Sequence, residues 1–552
     1  MSEQAGPTMQ ELAAADESAA GVLRHSRVMA AGTVVSRATG FLRTAVIAAA
    51  IGPHLVGDAY NIANTTPNIL YELLLGGVLT SVVVPLLVHA AQHDDDGGTA
   101  YAQRLLTLVI VVLGGASILA AAFGPQIVNV YGHWVTPDEQ QLAGVFARFF
   151  LPQIVFYGVG ATIAAILNAR DRFAAPMWAP VLNNLVVIAT GLLFLAVTAG
   201  RPDPGDLSTT DQLILGIGTT AGIVVQTIAL LPSLRRSGFR LRLRFDVRGS
   251  RLGDAAQMAG WVLVYVLANQ LGYVVIVRLA SSAARIGTVG TPTGFSPYQY
   301  AFLLFSLPHA IVTVSVITAL LPRMSRRAGA ERADGIRTDV SQGLRLSAAL
   351  LVPASVALVA LGPQIGVTVF GYGNTTVHDA RFIGVVLAAF AVGLVPFSFF
   401  QLELRAFYAL HDTRTPAVLN IWVNVVNVAV DILLYVALPD RWRVVGLALG
   451  YAVSYAAGLA LMTRALRGRI GGIDGARVTR VAVRLFVSAV PAGLVAFALA
   501  EGSRVLLGPG RVGAYVGLAA GLAVGAVMFG QAAGRMHVNE LHEVLGLARA
   551  RV

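Results

Sequence analysis

The sequence contains neither cysteine nor lysine, and only 12% of its residues are charged. Without cysteine the chain has no disulfides, no thiolate chemistry and no cysteine-ligated metal site. The 10 histidines form neither an H-x-x-H nor an H-E-x-x-H pattern, so we expect no zinc site. P-loops, G-x-S-x-G elbows and kinase signatures are also missing, so nothing in the sequence points to ATP use or hydrolysis.

Long apolar segments dominate the rest of the sequence. Hydrophobic residues make up 56% of the 552 residues, and the mean hydropathy is +0.70. A soluble domain carries about 25% charged residues and cannot hide so much apolar surface. We predict an all-α polytopic membrane protein, because the residue alternation of a β-barrel is absent. Fourteen apolar runs are long enough to cross a bilayer, namely 28–51, 66–90, 102–128, 141–168, 176–199, 211–232, 257–280, 298–322, 343–370, 379–408, 416–438, 443–466, 479–500 and 511–533.

The distribution of arginine predicts how the chain is oriented in the membrane. With the N-terminus inside, the inner loops and tails hold about 24 of the 40 arginines, and the outer loops hold about six. The loop Arg235–Arg251 alone carries seven. Both termini are therefore predicted to be cytoplasmic. The polar, acidic start of the chain lacks the features of a cleavable signal, and we predict a disordered tail over 1–27.

Sequence landmarks recur at an offset of 237 to 240 residues, which predicts an internal repeat. The alternative is coincidence in a sequence built from few residue types. An even number of spans per repeat gives both halves the same orientation, as in parallel-repeat transporters. The landmarks are a Gly-Pro-Gln-Ile motif at 124–127 and 362–365, Pro85 with Pro322, and the pair Pro176 and Asn184 with the pair Pro416 and Asn424.

This repeat divides the chain into two lobes and additional segments. We predict an N-lobe over 28–235 with spans 1–6 and a C-lobe over 257–466 with spans 7–12, joined by a basic cytoplasmic linker over 236–256. Spans 13 and 14 over 479–533 lie outside the repeat. The tail over 534–552 is amphipathic and lies on the inner membrane surface, or it is a solvated helix end.

Charged residues inside spans are costly and usually face a polar cavity, so they indicate candidate sites. Span 1 contains Arg37 and Arg43 but no acidic residue. Two permanent cations near the bilayer midplane suit an anionic substrate such as a phosphate or pyrophosphate. The alternative is a structural ion pair with Glu72 or another acid.

Span 2 and its outer end supply three further candidates. Asn68 and Glu72 lie four residues apart on one helix face, where Glu72 either balances the span 1 arginines or acts directly on substrate, cation or proton. Asp58 lies before this span. Its carboxylate can pair with Arg43 as a gate when the outside is closed, or it can be a helix cap or a solvated loop residue.

The second half of the chain contributes a cation and a polar stripe. Arg278 near the outer end of span 7 either reaches the membrane surface or supplies a cation opposite span 1. A narrow stripe on span 11 offers amide and carboxylate oxygens, which suit a hard cation such as Na⁺. Polar contacts between helices are the alternative. The stripe consists of Asn420, Asn424, Asn427 and Asp431.

A family resemblance rests on four short segments. They are Ser36-Arg37-Ala38-Thr39-Gly40-Phe41-Leu42-Arg43, Gly57-Asp58-Ala59-Tyr60, Thr66-Pro67-Asn68-Ile69-Leu70 and Val84-Pro85-Leu86-Leu87. With these segments the chain resembles the MurJ (MviN) lipid II flippases over nearly its whole length. Those proteins belong to the superfamily of multidrug and toxic-compound extruders and polysaccharide exporters. The arginine-only, Ala- and Gly-rich composition is similar to that of actinobacterial proteins.

The resemblance implies a transporter of the bacterial cytoplasmic membrane with no catalytic activity and no organic cofactor. It implies two six-helix lobes around a cationic cavity, and two extra helices that form a groove for a polyprenyl tail. Its substrate would be undecaprenyl-pyrophosphate-linked peptidoglycan precursor, lipid II, moved to the outer leaflet by alternating access. Na⁺ or the membrane potential would drive the cycle. Proteins of peptidoglycan synthesis and division are the expected partners.

The same resemblance assigns roles to individual residues. Arg37 and Arg43 match cavity positions and Asp58 matches a gate position, while Asn427 and Asp431 match the span 11 pair of a Na⁺ site found in some members. Thr44, Tyr71 and Leu303 stand where many members carry charged residues. We therefore expect Arg278 to compensate in binding the pyrophosphate. The rival functions are export of another lipid-linked glycan or a drug, and a non-transporting scaffold for wall synthesis.

Overall fold

A computed structural model of the protein describes residues 31–76, 96–198, 202–246, 252–284, 293–329 and 333–541, with single positions between some of these ranges. The predicted tail 1–27 lies outside the described residues. Within them the secondary structure is helical and contains no β-strand, so the all-α prediction is confirmed.

The first lobe is built from nine helices in the described part of the chain. Helix α2 continues as a π-helical turn over Glu72–Gly76. The helices are α1 Ala31–Ile51, α2 Leu55–Tyr71, α3 Thr99–Ala122, α4 Gly124–Tyr131, α5 Pro137–Phe150, α6 Gln153–Ala169, α7 Ala174–Val197, α8 Thr209–Ile228 and α9 Leu231–Arg236. Where two helices meet at a slight break, as α5 with α6 and α8 with α9 do, they run on together as one candidate span.

The second lobe and the two additional spans follow the linker. A π-helical turn over His309–Thr313 joins α11 to α12. The helices are α10 Leu252–Ser282, α11 Phe295–Pro308, α12 Val314–Gly329, α13 Ala333–Phe370, α14 Val377–Ala391, α15 Leu394–Ala409, α16 Arg414–Ala437, α17 Arg443–Ile470, α18 Gly475–Leu507 and α19 Arg511–Arg535.

Most predicted spans have a counterpart among these helices. In the described residues, twelve continuous helical segments are long and apolar enough to cross a membrane, and three of them combine two helices each: α5 with α6, α8 with α9, and α11 with α12. Helices α14 and α15 together form a further span bent by 50°. We call the membrane face that carries the linker 236–246 the basic face, and the other the opposite face. The predicted second span, 66–90, needs a correction: its helix begins at Leu55. Its first turns are rich in polar residues such as Asp58 and Asn61, which face protein rather than lipid and hide the span in a hydropathy profile.

Each lobe has its own hydrophobic core. Buried residues of the first core run from Ile47 to Phe239, and its largest side chains include Phe146, Phe150 and Phe194. The second core is drawn mainly from Ile276 onward and includes the additional helices α18 and α19, which pack on α13. The second core also includes Ala48, Ile62, Ile69 and Tyr131 of the first lobe, so the two lobes pack against each other in this state.

The turns of the two lobes repeat with the predicted spacing. Thr136 caps α5 and Thr376 caps α14, 240 residues apart, each accepting a hydrogen bond from the backbone three residues on. The turn after α6 holds Asp171 at φ 56° and the turn after α15 holds His411 at φ 57°, again 240 residues apart. Each turn leads into a helix of 24 residues, α7 and α16. The parallel repeat of two lobes is therefore present in backbone geometry as well as in sequence.

The end of the chain packs against the second lobe. Val538 is 2% exposed and belongs to the second core. Glu540 forms an ion pair with Arg345 of α13, at an Nη1–Oε1 distance of 2.5 Å. Of the two possibilities for the tail, a surface-bound or a solvated segment, these contacts favour attachment to the protein itself; residues 542–552 lie outside the described part.

Close crossing of α13 and α14 yields a stability prediction. Gly384 lies against the backbone of Gly362 and Pro363, so a side chain there would overlap backbone atoms. We expect Gly384→Leu to destabilise the second lobe by about 1–3 kcal/mol or more, because backbone contacts cannot yield as side chains do. The measurement is the thermal midpoint of the purified protein in detergent.

The matched control is Gly115→Leu in α3. Gly115 also lies within a membrane helix, but it has open space around it. Equal midpoints for the two variants would contradict the assignment of the α13–α14 crossing as a backbone contact.

Candidate functional site: a polar cavity and the seal that closes it

A polar cavity of about 230 Å³ lies within the first lobe and reaches the second lobe at α11. Pockets that enclose a drug-sized ligand measure roughly 300–1,000 Å³, so this one fits only part of a large substrate in the present state. Its lining comes from α1, α2, α6, α7, α8 and α11. The lining residues are Arg43, Thr44, Ile47, Tyr60, Asn61, Asn64, Gln153, Tyr157, Asn183, Val187, Thr219, Ile223, Gln226, Gln299 and Tyr300.

Arg43 is the charged residue of this cavity, and the rest of the polar lining is neutral among the described residues. Its side chain is half-buried, and none of the ion pairs in the described part of the chain includes it. A guanidinium with unused donors in a neutral polar pocket is suited to bind an anion, because its planar fork matches phosphate oxygens. The prediction of an anion-binding cation in span 1 therefore has a geometric basis at Arg43.

Amides and hydroxyls complete the lining. Tyr60 Oη lies 2.7 Å from Thr219 Oγ1, and Gln153 Nε2 donates to Thr220 Oγ1 at 2.9 Å. Charged residues in the spans were the basis of the sequence prediction, which therefore did not include these neutral lining residues. The sequence feature that could have identified them is the presence of Gln153, Asn183 and Gln299 in otherwise apolar spans.

The other residues predicted for the first-lobe site lie outside the cavity lining. Arg37 and Asn68 are exposed, and Arg37 lies about 9 Å closer to the basic face than Arg43 by helical rise. Glu72 is half-buried at the start of the π-helical turn after α2. Within the described residues it forms no ion pair with Arg37 or Arg43. The structural pairing considered for Glu72 is therefore absent in this state.

Arg278 occupies a different place from the predicted one. Its Nη1 donates to the backbone carbonyls of Asn129, Val130 and Gly132 at 3.3, 3.3 and 3.4 Å. These carbonyls end α4, where unpaired C=O groups concentrate negative partial charge. The expectation that Arg278 faces the cavity is thus corrected: the helix end attracts the guanidinium and ties the two lobes together at the opposite face.

Asp58 also contacts the other lobe, with a partner that differs from the predicted one. Its carboxylate accepts hydrogen bonds from the backbone N–H groups of Phe295 at 3.0 Å and Ser296 at 2.7 Å. These are the first amides of α11, whose unpaired donors and dipole favour an anion. Asp58 is 1% exposed and does not pair with Arg43. A side chain at Gly294 would overlap Asp58 Oδ2, so glycine there allows the close approach.

A third interlobe contact caps the end of α1. In the loop between α13 and α14, Asn374 N donates to Ala49 O at 2.7 Å and Asn374 Nδ2 donates to Ala50 O at 2.7 Å. Thr375 Oγ1 donates to Ala48 O at 2.6 Å. The final carbonyls of a first-lobe helix are thus satisfied by a second-lobe loop.

These three contacts form what we call the interlobe seal: Asp58 with the start of α11, Asn374 and Thr375 with the end of α1, and Arg278 with the end of α4. All three lie at the opposite face. The structure therefore represents a state that is closed at the opposite face, with the Arg43 cavity beneath the seal.

The polar stripe on α16 divides into two parts. Asn420 and Asn424 both donate to Asn269 Oδ1 of α10 at 3.1 Å, so these two connect helices. Asn427 and Asp431 are 5% and 0% exposed, and Asp431 Oδ1, Asp431 Oδ2 and Asn427 Nδ2 have no hydrogen-bond partner among the described residues. Gly450 of α17 packs directly on Asp431. A buried carboxylate without a partner is costly, and a hard cation would relieve this cost.

Two helical lobes, a polar, cation-bearing cavity in the first of them, and contacts between the lobes that seal one membrane face define a membrane transporter. The family model described as "Lipid II flippase MurJ" matches residues 47–518, and the chain belongs to this family.

Curated relatives agree with this assignment. The chain is 27% identical to "Probable lipid II flippase MurJ" of Haemophilus influenzae over 450 residues, covering 79% of this chain and 84% of that protein. It is 26% identical to "Lipid II flippase MurJ" of Burkholderia cenocepacia over 399 residues, covering 72% and 75%.

Solved structures with the same fold include a family member and a drug transporter. A lipid II flippase MurJ in an inward closed conformation superposes with a TM-score of 0.72 at 18% identity, covering 92% of this chain and 99% of that one. An inward-facing multidrug resistance MATE family transporter of the MOP superfamily gives 0.66 at 14% identity, covering 80% and 96%.

The seal predicts a specific effect of removing Asp58. Asp58→Ala leaves two amides of α11 without their acceptor, and hydrogen bonds to charged groups contribute about 1.5–3 kcal/mol each. We expect the open population at the opposite face to rise by roughly tenfold or more. The chain lacks cysteine, so a single Gln299→Cys reporter in the cavity can be labelled by an impermeant maleimide to measure this opening.

Asp211→Ala is the matched control. Asp211 is a buried acid in the first turn of α8, but its cap with Ser208 lies within its own lobe. Labelling that rises equally in both variants would argue that Asp58 acts on general stability and not on the seal.

Proposed function

We propose that this protein is a lipid II flippase that moves undecaprenyl-pyrophosphate-linked precursor from the cytoplasmic to the outer leaflet by alternating access. The observation that carries the proposal is Arg43, which forms no ion pair among the described residues and lies in a neutral polar cavity of the first lobe that reaches the second lobe at α11. The pyrophosphate is the anionic part of this substrate, and Arg43 is placed to bind it. Arg37, closer to the basic face, would meet the headgroup earlier as it enters.

The proposed orientation places the basic face in the cytoplasm, with both termini inside. The excess of arginine at this face supports it through the positive-inside rule. The interlobe seal then faces the exterior, and the present state blocks that side. Outward opening would break the seal and close the cytoplasmic side, as in other two-lobed transporters.

The lipid tail has a separate proposed path along α13, α18 and α19. A groove of about 270 Å³ between these helices is lined almost entirely by apolar and small residues. Leu361, Gly493 and Gly521 are among them, and small residues keep the groove open. A polyprenyl chain there would stay in an apolar environment while the headgroup crosses.

Headgroup flipping in reconstituted vesicles tests this function. We expect Arg43→Ala to lower the rate of lipid II flipping by roughly tenfold or more, because charge-assisted hydrogen bonds to phosphate are lost. Arg37→Ala should have a smaller effect, since Arg37 lies outside the cavity lining in this state. Arg43→Lys should restore part of the rate by keeping the charge without the bidentate fork.

Arg148→Ala is the control: Arg148 of α5 is exposed and outside the cavity lining, so this variant should flip lipid II at the wild-type rate. Wild-type protein that flips another lipid-linked glycan or exports a drug, but not lipid II, would favour the rival transport function. Normal cell-wall synthesis in cells that carry only Arg43→Ala would instead favour a scaffold that recruits wall-synthesis or division proteins.

We further propose that the flippase is of the secondary type, driven by the membrane potential or by Na⁺ at Asn427 and Asp431. The unpartnered oxygens of Asp431 beside Asn427 support the Na⁺ alternative. When bound, Na⁺ would supply positive charge to this buried site, and Asp431 would hold it from α16 while Gly450 permits the approach of α17. Asn420 and Asn424 keep α10 and α16 together around the site.

Ion-dependent stability tests the Na⁺ proposal without measuring transport. A ligand that binds the folded state raises the thermal midpoint, so NaCl should stabilise the wild type more than choline chloride at equal ionic strength. Asp431→Asn should lose this difference. Asp412→Asn, at the basic face where Asp412 pairs with Thr415 and Arg469, should keep it. Equal stability of the wild type in both salts would exclude Na⁺ at this site and leave the membrane potential as the driving force.

A further inference from the structure

The segment that leaves the first lobe has an unusual surface. Residues 239–246 have the sequence Phe-Arg-Leu-Arg-Leu-Arg-Phe-Asp. No backbone hydrogen bond joins two residues within this segment. Phe239 is 2% exposed and anchors the start of the segment, with the Arg170 guanidinium carbon 5.3 Å from its ring centroid. From Arg240 to Asp246 every residue is exposed.

The segment follows the first two turns of α3 from the basic face toward the membrane. Gln103 Nε2 donates to Arg240 O at 2.6 Å, and Arg244 N donates to Thr107 Oγ1 at 2.9 Å. Arg104 forms an ion pair with Asp246 at 2.7 Å. These contacts bury Gln103 and Thr107 to 4% and 3% exposure. The segment is therefore held along α3 and does not hang free in the cytoplasm.

Its depth corresponds to the boundary between the lipid headgroups and the acyl chains. Thr107 lies eight residues after the start of α3 at Thr99, about 12 Å by helical rise. A helix of 24 residues is about 36 Å long and exceeds the roughly 30 Å of hydrocarbon by about 6 Å, so its first turn, up to Gln103, reaches into the interface and Thr107 lies about one turn deeper. A backbone without internal hydrogen bonds is excluded from lipid-exposed hydrocarbon, and here Gln103 and Thr107 bind the backbone groups of Arg240 and Arg244 that approach it.

The apolar residues of the segment continue the lipid-facing surface of α3. Leu241, Leu243 and Phe245 are 45%, 63% and 71% exposed. Just beyond Thr107, Val111 and Val112 of α3 are 53% and 47% exposed on the membrane-spanning part. Apolar side chains that join a lipid-facing surface at interface depth have the lipid itself as their natural contact.

The arginines supply the complementary charge. Arg240, Arg242 and Arg244 alternate with the apolar residues, so in an extended segment they share the side away from Leu241, Leu243 and Phe245. Asp246, the acidic residue of the segment, is already paired with Arg104. Three exposed guanidinium groups at the interface therefore remain available for phosphate oxygens of lipids.

We propose that residues 240–246 form an interfacial anchor that binds the headgroups of anionic phospholipids while Leu241, Leu243 and Phe245 insert among the acyl chains. The surface so defined is distinct from the Arg43 cavity and from the apolar groove of α18 and α19. It fixes the linker to the membrane at the point where the chain leaves the first lobe for the second. Its test does not depend on which substrate the transporter carries.

The absence of cysteine allows the anchor to be mapped by spin labels. Single cysteines at positions 240 to 245 are labelled in protein reconstituted into vesicles of phosphatidylcholine alone or with phosphatidylglycerol. We expect labels at 241, 243 and 245 to be shielded from an aqueous relaxation agent and labels at 240, 242 and 244 to be accessible. Phosphatidylglycerol should increase the shielding at the odd positions.

A charge variant separates headgroup binding from simple insertion. In the Leu243→Cys protein, Arg240→Gln/Arg242→Gln/Arg244→Gln should abolish the effect of phosphatidylglycerol, since each arginine contributes roughly fivefold to the affinity for an anionic surface. The control Arg464→Gln/Arg467→Gln/Arg469→Gln removes three exposed arginines of α17 near the same face and should retain the effect.

Two results would overturn the proposal. Equal aqueous accessibility at all six positions would place the segment in water. An alternating pattern that is insensitive to phosphatidylglycerol would mean that the segment inserts without recognising anionic headgroups. All labelled positions are exposed, so the substitutions leave the helical cores intact.

Discussion

Backbone groups at helix ends have no partner within their own helix, and in this protein the two lobes satisfy them for each other. A first-lobe carboxylate, Asp58, binds the first amides of α11, and a second-lobe loop with Asn374 and Thr375 binds the last carbonyls of α1. Arg278 of the second lobe donates to the last carbonyls of α4 in the first lobe. The closed state of the opposite face depends on this exchange. Because these groups lie at the membrane face, water can replace each partner when the lobes separate, so both states are accessible.

Much of the architecture was readable from the sequence because the bilayer imposes simple rules. Apolar length predicted the spans, and the spacing of Pro176 and Pro416 predicted the repeat that the turns at Asp171 and His411 reproduce. The helix of span 2 begins before its apolar run, because its polar first turns face protein, which a hydropathy profile cannot distinguish from a loop. Arg43 was identified because a cation deep in a span is costly wherever it lies.

The residues that pair across the interlobe seal could not be predicted from apolar length, repeat spacing or charge. Asp58 and Ser296 are 238 residues apart, and the contact uses backbone amides that carry no sequence signature. The stripe on α16 shows the same limit within one helix. Its four polar residues share a face, yet Asn420 and Asn424 donate to α10, whereas Asn427 Nδ2 and both carboxylate oxygens of Asp431 have no hydrogen-bond partner among the described residues. Asn269 on α10 accepts from the first pair, and the sequence of α16 does not show which pair it reaches.

The Arg43 cavity belongs to the first lobe, whereas the apolar groove is formed by α13, α18 and α19 of the second. A lipid held at both places would be attached to two bodies that move against each other. The length of lipid chain between the two sites would limit how far the lobes can rotate while the lipid is bound. Lipids with a shorter or stiffer stem would then be selected against mechanically, through the range of motion they permit, even if both of their ends bound well.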